Sequence, residues 1–343
     1  MKLLIFTQKV DSTDTVLGFF HIWIKEMASR SESIEVICLE KGVFDLPKNV
    51  TVYSLGKESG NSRLGYLVNL TKYLHLISGS YDRVFIHMNQ EYVLLAGFYW
   101  KLKQIPVYLW RNHPKGSIST RLAVLFSTKV FCTSNQSFTA RFKKTIIMPA
   151  GIDTKIFKPV SGVVRKKYSV CMVGRISPIK HIDLALEAVN KLVSQGVQVS
   201  LSIVGSPLIR DYKYYEILKK YVNDHNLSTC VHFIDAVEIN KLPEIYSNHE
   251  VCLNLTDAGS FDKTIVEAAS CGVIPLVSNN SLSDLLPKAC ITEVDPEIIA
   301  HSIQEAFDAH QRVEIQNELT KFVKSNSLDT LINKLFMELQ YKQ

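Results

Sequence analysis

A short stretch of the second half of the chain, from Val173 to Lys180, places two cations directly after an apolar run that predicts a strand. The cations are Arg175, which follows Gly174, and Lys180, which lies where the next helix is expected to begin. Arginine presents a planar fork to phosphate oxygens, and lysine presents a compact positive charge. Cations are unfavourable at a helix start, so two solvated surface charges are the weaker interpretation. We predict that both side chains bind an anion such as a pyrophosphate.

A second stretch, from Gly259 to Gly272, lies about eighty residues further on and follows another strand candidate. Its loop can turn several backbone N–H groups towards a ligand, and the helix after it carries Glu267 among small apolar residues. A carboxylate there can accept hydrogen bonds from two hydroxyls of a polyol. The alternatives are a plain strand-to-helix turn and a solvent-facing carboxylate. The predicted ligand-binding residues of this stretch are Gly259, Ser260, Phe261, Asp262, Lys263 and Glu267. Together the two stretches are suited to a nucleotide-sugar, which is a diphosphate joined to a polyol.

Two residues of the first half lie at comparable strand ends. His113 follows the strand candidate that ends at Trp110, where its ring can hydrogen-bond a sugar hydroxyl, or else lie in a plain surface loop. Gly18 lies between the loop of the first strand and a helix. Many strand-to-helix turns carry glycine, so Gly18 alone is a weak signal.

Length and composition describe an ordinary globular protein. The chain has 343 residues, 46% hydrophobic and 21% charged, which suggests two domains with full cores. The net charge of +6 suits an anionic substrate or an anionic membrane surface, and is too small to indicate nucleic acid. The seven dispersed cysteines indicate reduced thiols in a cytoplasmic protein. No transmembrane helix is predicted, and the apolar run Val93–Trp100 is expected to be a buried helix.

Short apolar runs alternate with segments of helical periodicity in both halves, which predicts α/β domains with doubly wound parallel sheets. Ligands bind at the carboxyl ends of such strands. We place an N-terminal domain at residues 1–160, a second at 161–325, and a C-terminal helix at 326–343 that packs back across the domains. The strands predicted in the first half are Lys2–Phe6, Glu35–Leu39, Thr51–Ser54, Arg83–His87, Val107–Trp110, Lys129–Cys132 and Thr145–Met148. Those in the second half are Ser169–Val173, Gln198–Val204, Cys230–Phe233, Val251–Leu255, Ile274–Ser278 and Cys290–Ile291.

Several motifs of other chemistries are absent from the sequence. It holds no G-x-G-x-x-G, no Walker A motif, no H-E-x-x-H and no cysteine–histidine cluster with zinc spacing. We therefore predict a site without metal or cofactor, in which Arg175 and Lys180 neutralise the leaving diphosphate.

The two stretches together resemble glycosyltransferase family 4. Residues 173–180 resemble its V-G-R-x-S-x-x-K block, and residues 266–275 resemble its L-E-A-M-A-C-G-x-P-V block. The resemblance implies the GT-B fold, with two Rossmann-like domains facing a central cleft. It also implies a retaining hexosyltransferase that uses a nucleotide-sugar, UDP- or GDP-linked, without an essential metal.

The resemblance also implies roles for single residues. Arg175 and Lys180 would bind the donor diphosphate, Glu267 would hold the ribose, His113 would lie beside the transferred sugar, and Gly18 near the diphosphate and acceptor. The sequence departs from the family at one point. The first glutamate of the Glu-x7-Glu motif would be eight residues before Glu267, where this chain has Gly259. Backbone N–H groups of 259–263, or a carboxylate from Asp257 or Asp262, would then face the sugar.

The sequence thus predicts a cytoplasmic glycosyltransferase of polysaccharide biosynthesis, acting on a glycan or a lipid-linked glycan, with peripheral contact at the inner face of the membrane. The motivation for membrane contact is a basic cluster at 141–144 and an apolar stripe on the helix of residues 64–77. Two alternatives remain. One is a nucleotide-sugar 2-epimerase of related fold, which would release free epimerised donor. The other is a noncatalytic nucleotide-sugar binding module, which Gly259 would favour.

Overall fold

A computed structural model describes residues 1–256 and 261–340. The chain divides into two compact units, and the first unit is completed by the chain from Leu328 onward. The second unit comprises Ile152–Ser327, so the boundaries fall after residues 151 and 327, against the predicted 160 and 325. A local contact accounts for the observed boundaries. The Ile152 N–H donates to the Asn326 carbonyl at 3.0 Å, so the points where the chain enters and leaves the second unit are joined.

The first unit contains a sheet of seven parallel strands, counted among the described residues, in the order β3-β2-β1-β4-β5-β6-β7. Residues Leu3–Phe6 of β1 are fully buried, as expected of a parallel strand covered on both faces. All seven strands predicted in the first half form, with small changes at their ends. The strands are β1 Lys2–Val10, β2 Ser33–Lys41, β3 Val50–Ser54, β4 Arg83–His87, β5 Val107–Trp110, β6 Lys129–Cys132 and β7 Thr145–Ile147.

The second unit contains a parallel sheet of five described strands, in the order β10-β9-β8-β11-β12. The strands are β8 Ser169–Val173, β9 Ser200–Val204, β10 Val231–Ile234, β11 Val251–Asn254 and β12 Ile274–Val277. The sixth strand predicted here, Cys290–Ile291, is wrong. Cys290 ends a 3-10 turn, and Ile291 makes one isolated bridge to Val277, because the chain turns away before a ladder can form.

Eleven α-helices lie among the described residues and cover the faces of the two sheets. They are α1 Gly18–Ala28, α2 Arg63–Leu76, α3 Glu91–Leu102, α4 Ile118–Phe126, α5 Ile182–Ser194, α6 Tyr212–Asp224, α7 Leu242–Ser247, α8 Lys263–Ser270, α9 Pro296–Ala306, α10 Ala309–Ser325 and α11 Leu328–Gln340. None of the helices in the described ranges is long and apolar enough to span a membrane.

Each face of the first sheet has its own hydrophobic core. One core joins α1 and α11 to the sheet through buried side chains such as Trp23 and Leu335. The other joins α2, α3 and α4 through Leu70, Trp100 and Ala123. The C-terminal helix is therefore a structural part of the first unit.

The expectation of a buried helix at Val93–Trp100 holds for only one side of the helix. In α3, Val93 and Trp100 are fully buried, but Leu95 is 55% exposed and Phe98 is 63% exposed. The helix is apolar on all sides, and only one side of it faces the sheet, so the other apolar side remains at the surface.

Candidate functional site

Where the first binding stretch leaves β8, its main chain lies close against the main chain that leaves β9. Gly174 has a φ of +135°, which L side chains rarely adopt. Its N–H donates to the Val204 carbonyl at 2.9 Å, and the Ile176 N–H donates to the Ser206 carbonyl at 3.3 Å. The loop that carries Arg175 is thereby fixed to the chain that continues from β9.

Gly205 makes this close approach possible, although the sequence prediction did not single it out. A Cβ added to Gly205 would lie only 2.0 Å from the Gly174 carbonyl oxygen, and its φ is +147°. A signal for Gly205 was present in the sequence, because two predicted strands end in the same Val-Gly pair, Val173-Gly174 and Val204-Gly205. Two strand-end glycines let the two main chains touch.

Lys180 bridges the ends of β8 and β11. It closes a 3-10 turn, Pro178–Lys180, just before α5, and not the first turn of α5 itself. Its Nζ donates to Thr256 Oγ1 at 3.1 Å and forms an ion pair with Asp262. The Lys180 side chain passes over Gly174, where a Cβ would lie 3.7 Å from its Cε. The ammonium is thus held at the carboxyl edge of the sheet.

Asp262 has two functions in this structure, and both are local. It caps the N-terminus of α8, accepting from the Thr264 N–H at 3.3 Å and from Thr264 Oγ1 at 3.1 Å. It also pairs with Lys180. Burial opposes ionisation of Asp262, but the charge and hydrogen bond of Lys180, together with hydrogen bonds from Asn254 and Thr264, hold the pKa of the carboxyl below its usual value. The carboxylate suggested as a replacement near the sugar is therefore engaged with Lys180.

Glu267 lies in the middle of α8 and is only 6% exposed. The hydroxyl of Tyr246, a fully buried residue of α7, donates to Glu267 Oε2 at 3.1 Å. Burial raises the pKa of Glu267 to about 7, against the opposing effects of the Tyr246 hydrogen bond and the positive charge of Lys263. The same burial lowers the pKa of the Lys263 ammonium. Glu267 is therefore a buried acceptor that titrates near neutral pH.

Arg175 is exposed, and its guanidinium makes no hydrogen bond or ion pair with any residue that the structure describes. A pocket opens where β8, β9 and β11 end, and Gly174, Arg175 and Lys180 are among the residues lining it. An exposed arginine beside a half-buried lysine gives this edge of the second sheet two cations and one paired carboxylate. The arrangement suits an anionic ligand.

Three further predicted residues belong to the second stretch. Gly259 and Ser260 lie outside the described residues. Phe261 is half-buried, and its ring stacks on that of Phe322 with centroids 6.1 Å apart. In the part of the chain that the structure describes, no group of three or more histidine, cysteine, aspartate or glutamate residues is arranged to hold a metal ion.

The two residues predicted from the first half lie in the first unit. His113 is exposed after β5, and its Nδ1 accepts a hydrogen bond from the Lys115 N–H at 3.0 Å. Gly18 is the first residue of α1, where a Cβ would lie 3.3 Å from the Ser12 carbonyl oxygen. The structure therefore brings together the predicted residues from 174 to 180 and from 262 to 267, and it places His113 and Gly18 at separate strand ends of the first unit.

Comparisons with known proteins give a family match that lies within the second unit. Residues 153–286 match the family model "Glycosyl transferases group 1". A D-inositol 3-phosphate glycosyltransferase of Geodermatophilus obscurus is 25% identical over 148 residues, which cover 40% of this chain and 33% of that protein. The GPI3 subunit of the Saccharomyces cerevisiae phosphatidylinositol N-acetylglucosaminyltransferase is 21% identical over 233 residues, 65% of this chain and 48% of that protein. The chain thus spans between a third and a half of these relatives.

Solved structures share the fold over the whole chain. Anabaena HepE, solved in complex with UDP and glucose, superimposes with a TM-score of 0.79 at 18% identity and covers 100% of both chains. The predicted GT-B fold is confirmed by this likeness and by the two parallel sheets. Residues 153–286, which match the glycosyl transferases group 1 model, contain Arg175, Lys180 and Glu267.

Proposed function

We propose that this protein is a retaining glycosyltransferase that moves a sugar from a nucleotide-sugar to a glycan or lipid-linked glycan, without an essential metal. The observation that carries the proposal is the position of Lys180. Its ammonium is held by Asp262 and Thr256 at the carboxyl edge of the sheet, beside Arg175, within the segment that matches the glycosyl transferases group 1 model.

Arg175 and Lys180 are proposed to bind the diphosphate of the donor. Arg175 has no described partner to give up, so a phosphate can pair with its fork directly. Asp262 holds the Lys180 side chain in place, and the pair needs little reorganisation to receive an anion at the pocket edge. Positive groups fixed in advance at the departing diphosphate stabilise the charge that develops there.

Glu267 is proposed to accept hydrogen bonds from the ribose of the donor. The Tyr246 hydroxyl occupies Oε2, which leaves Oε1 for a ribose hydroxyl. A ribose hydroxyl donates a stronger hydrogen bond to the ionised carboxylate than to the neutral acid, so loss of the Glu267 proton strengthens donor binding. Tyr246 favours that ionised form, because its hydrogen bond lowers the pKa of Glu267.

In the proposed reaction, the bond between the anomeric carbon and the diphosphate oxygen breaks while the acceptor hydroxyl forms a bond to the same face of that carbon. The proton of the hydroxyl passes to the departing phosphate oxygen, so the step needs no separate base. His113 is proposed to lie beside the transferred sugar, and Gly18 near the diphosphate and the acceptor. The two cations neutralise the nucleoside diphosphate as it leaves.

The named ligands of similar proteins support the substrate classes. HepE has been solved with UDP-glucose as well as with UDP and glucose, which supports a UDP-linked hexose as the donor. The curated relatives are named for D-inositol 3-phosphate and phosphatidylinositol, and the second name supports an acceptor that is linked to a lipid.

The experiment is a thermal-shift titration against nucleotides and nucleotide-sugars in the presence of EDTA. We expect one nucleotide-sugar to raise the melting temperature, with the shift lost in Lys180→Ala and kept in Lys220→Ala, an exposed lysine of α6. No shift from any diphosphate compound would contradict donor binding at this site.

The donor identified in this way is then incubated with and without acceptors. Transfer to a polyol or glycan acceptor, with retention at the anomeric carbon, supports the proposal. Release of free epimerised donor without any acceptor would indicate the 2-epimerase, and binding without transfer or hydrolysis would indicate the noncatalytic module.

A further inference from the structure

An extended apolar surface covers the outer sides of α3 and α4 in the first unit. The two helices approach closely at Gly97, where a Cβ would lie 3.0 Å from Phe126 Cβ. Isolated exposed apolar side chains are normal on a protein, but eight on two adjacent helices form a patch. We call this patch the α3/α4 face. It consists of Leu94, Leu95, Phe98, Tyr99, Leu102, Ile118, Leu122 and Leu125, which are 37% to 76% exposed.

The segment of chain that forms most of this face carries side-chain charges of one sign. Residues 92–152 contain no aspartate or glutamate at all. The same segment includes both helices of the face, apart from Glu91, and the strands β5 to β7. Its nine cations are Lys101, Lys103, Arg111, Lys115, Arg121, Lys129, Arg141, Lys143 and Lys144. An apolar face within a segment whose only charges are positive complements a surface that has an apolar interior beneath an anionic outer layer.

A cavity of about 850 Å³ adjoins the ends of α3 and α4, and its lining includes Leu125, Lys101 and Lys144. Lys144 Nζ donates to the Ser127 carbonyl at 2.7 Å and the Val124 carbonyl at 3.1 Å, so it is fixed in place. Burial lowers the pKa of Lys144, and the positive charge of Lys101 lowers it further.

The carboxylate in the lining of this cavity belongs to Asp82, which is already paired with Arg83 at 2.7 Å. The two lysines therefore face one cavity without a carboxylate to balance them. An anion placed between them would relieve their repulsion.

We propose that the α3/α4 face docks on an anionic lipid bilayer, with its apolar side chains at the boundary of head groups and acyl chains and a lipid phosphate between Lys101 and Lys144. Apolar area and attraction to anionic lipid are the two contributions that hold an amphipathic surface on a membrane. A second copy of the chain suits this face less well, because a symmetric contact would bring the same cations together.

This docking face differs from the one that the sequence suggested. On α2, Leu70 is buried, and Tyr66, Tyr73 and Leu74 pack against the same core. In the basic cluster, the Arg141 guanidinium lies 4.1 Å from the centre of the Phe138 ring. Leu67 of that stripe is 41% exposed, and Leu64, Val68 and Leu76 of α2 are 64% to 74% exposed, so α2 also has an apolar outer side. The α3/α4 face has twice as many exposed apolar side chains, eight against four, and is therefore the stronger docking candidate.

The test is co-sedimentation of the full chain with phosphatidylcholine vesicles, with and without phosphatidylglycerol. We expect binding to the anionic vesicles that weakens as salt is raised. Lys101→Gln should lower the partition coefficient roughly fivefold, and Phe98→Ser roughly tenfold or more. Both side chains are exposed, so the melting temperature should not change.

Matched controls come from the second unit. Ile209→Ser removes an apolar side chain that is 91% exposed, and Lys220→Gln removes an exposed lysine. We expect neither change to alter vesicle binding. Equal binding of wild type, Phe98→Ser and Lys101→Gln would overturn the inference, as would equal binding to neutral and anionic vesicles.

A dimer in sedimentation velocity that Phe98→Ser dissociates, without vesicle binding by the wild type, would also overturn the inference and assign the face to a second copy. The inference is separate from the proposed function, because the thermal shift by nucleotide-sugars uses no lipid and should be the same in Phe98→Ser.

Discussion

Lys180 and Arg175 belong to the same strand end, yet they differ in how the protein holds them. Lys180 is fixed by Asp262, whereas Arg175 has no partner among the described residues. We expect Lys180→Ala and Arg175→Ala each to lower kcat/KM by about 2–4 kcal/mol of transition-state stabilisation, or roughly 30- to 1,000-fold. Steady-state kinetics with the donor from the thermal-shift panel would measure this. Lys220→Ala is the control, and unchanged kinetics in both site variants would remove the proposed role of the cations.

Glu267 makes stability depend on pH in a direction opposite to that of a salt-bridged carboxylate. Its pKa is raised from 4.5 to about 7 in the folded protein. Between these values the folded state holds a proton that the unfolded chain has released, so the free energy of unfolding falls as pH rises through this window. We expect Glu267→Gln to flatten that fall, and urea unfolding of both proteins from pH 4.5 to 8 to show the difference. Parallel curves for the two proteins would contradict the raised pKa.

At the residue scale, the sequence indicated candidate site residues but not the contacts between them. Lys180 and Glu267 were singled out because each follows a strand candidate at a recognisable spacing. The partners Thr256 and Tyr246 were not found, because they come from other elements, at the end of β11 and on α7, and nothing in their local sequence marks them. Asp262 was identified as a sugar-facing carboxylate, and only its distance from Lys180 revealed the ion pair.

At the scale of elements, the close approach of the β8 and β9 ends depends on Gly205. We expect Gly205→Ala to lower the free energy of unfolding by about 3–5 kcal/mol, since the new Cβ would meet the Gly174 carbonyl and the backbone would be strained as well. Gly196→Ala is the control, because Gly196 has a φ of +76° with open space around it, and should cost only about 1–2 kcal/mol. Chemical denaturation measures both, and equal losses would show that the close approach is unimportant.

Strands and helices were largely predictable, because buried parallel strands are short apolar runs and the helices between them have regular apolar spacing. The failures have two physical causes. Cys290–Ile291 has the composition of a strand, but no extended partner continues beside it. In α3, apolar residues occur on every side, so periodicity could not indicate which side faces the sheet, and Phe98 was wrongly expected to be buried.

At the scale of the whole molecule, α11 completes the core of the first unit although it is far from that unit in sequence. Leu335 is fully buried in this core, and we expect Leu335→Ala to cost about 2–5 kcal/mol of unfolding free energy. Met337, on the same helix, is 69% exposed, so Met337→Ala should change stability by less than about 0.5 kcal/mol. Thermal unfolding that responds equally to both substitutions would show that the helix is not packed through Leu335.

The return of α11 also sets an order of completion on the ribosome. Domains usually close in the order in which they are translated, the N-terminal one first. Here the second unit is a contiguous stretch, Ile152–Ser327, while the core around Trp23 in the first unit waits for residues that are synthesised afterwards. The first unit, most of which is translated first, can therefore complete its hydrophobic core last. A ribosome that stalls before Leu328 would release a chain with a complete second unit and, beside it, an open apolar surface for chaperones to cover.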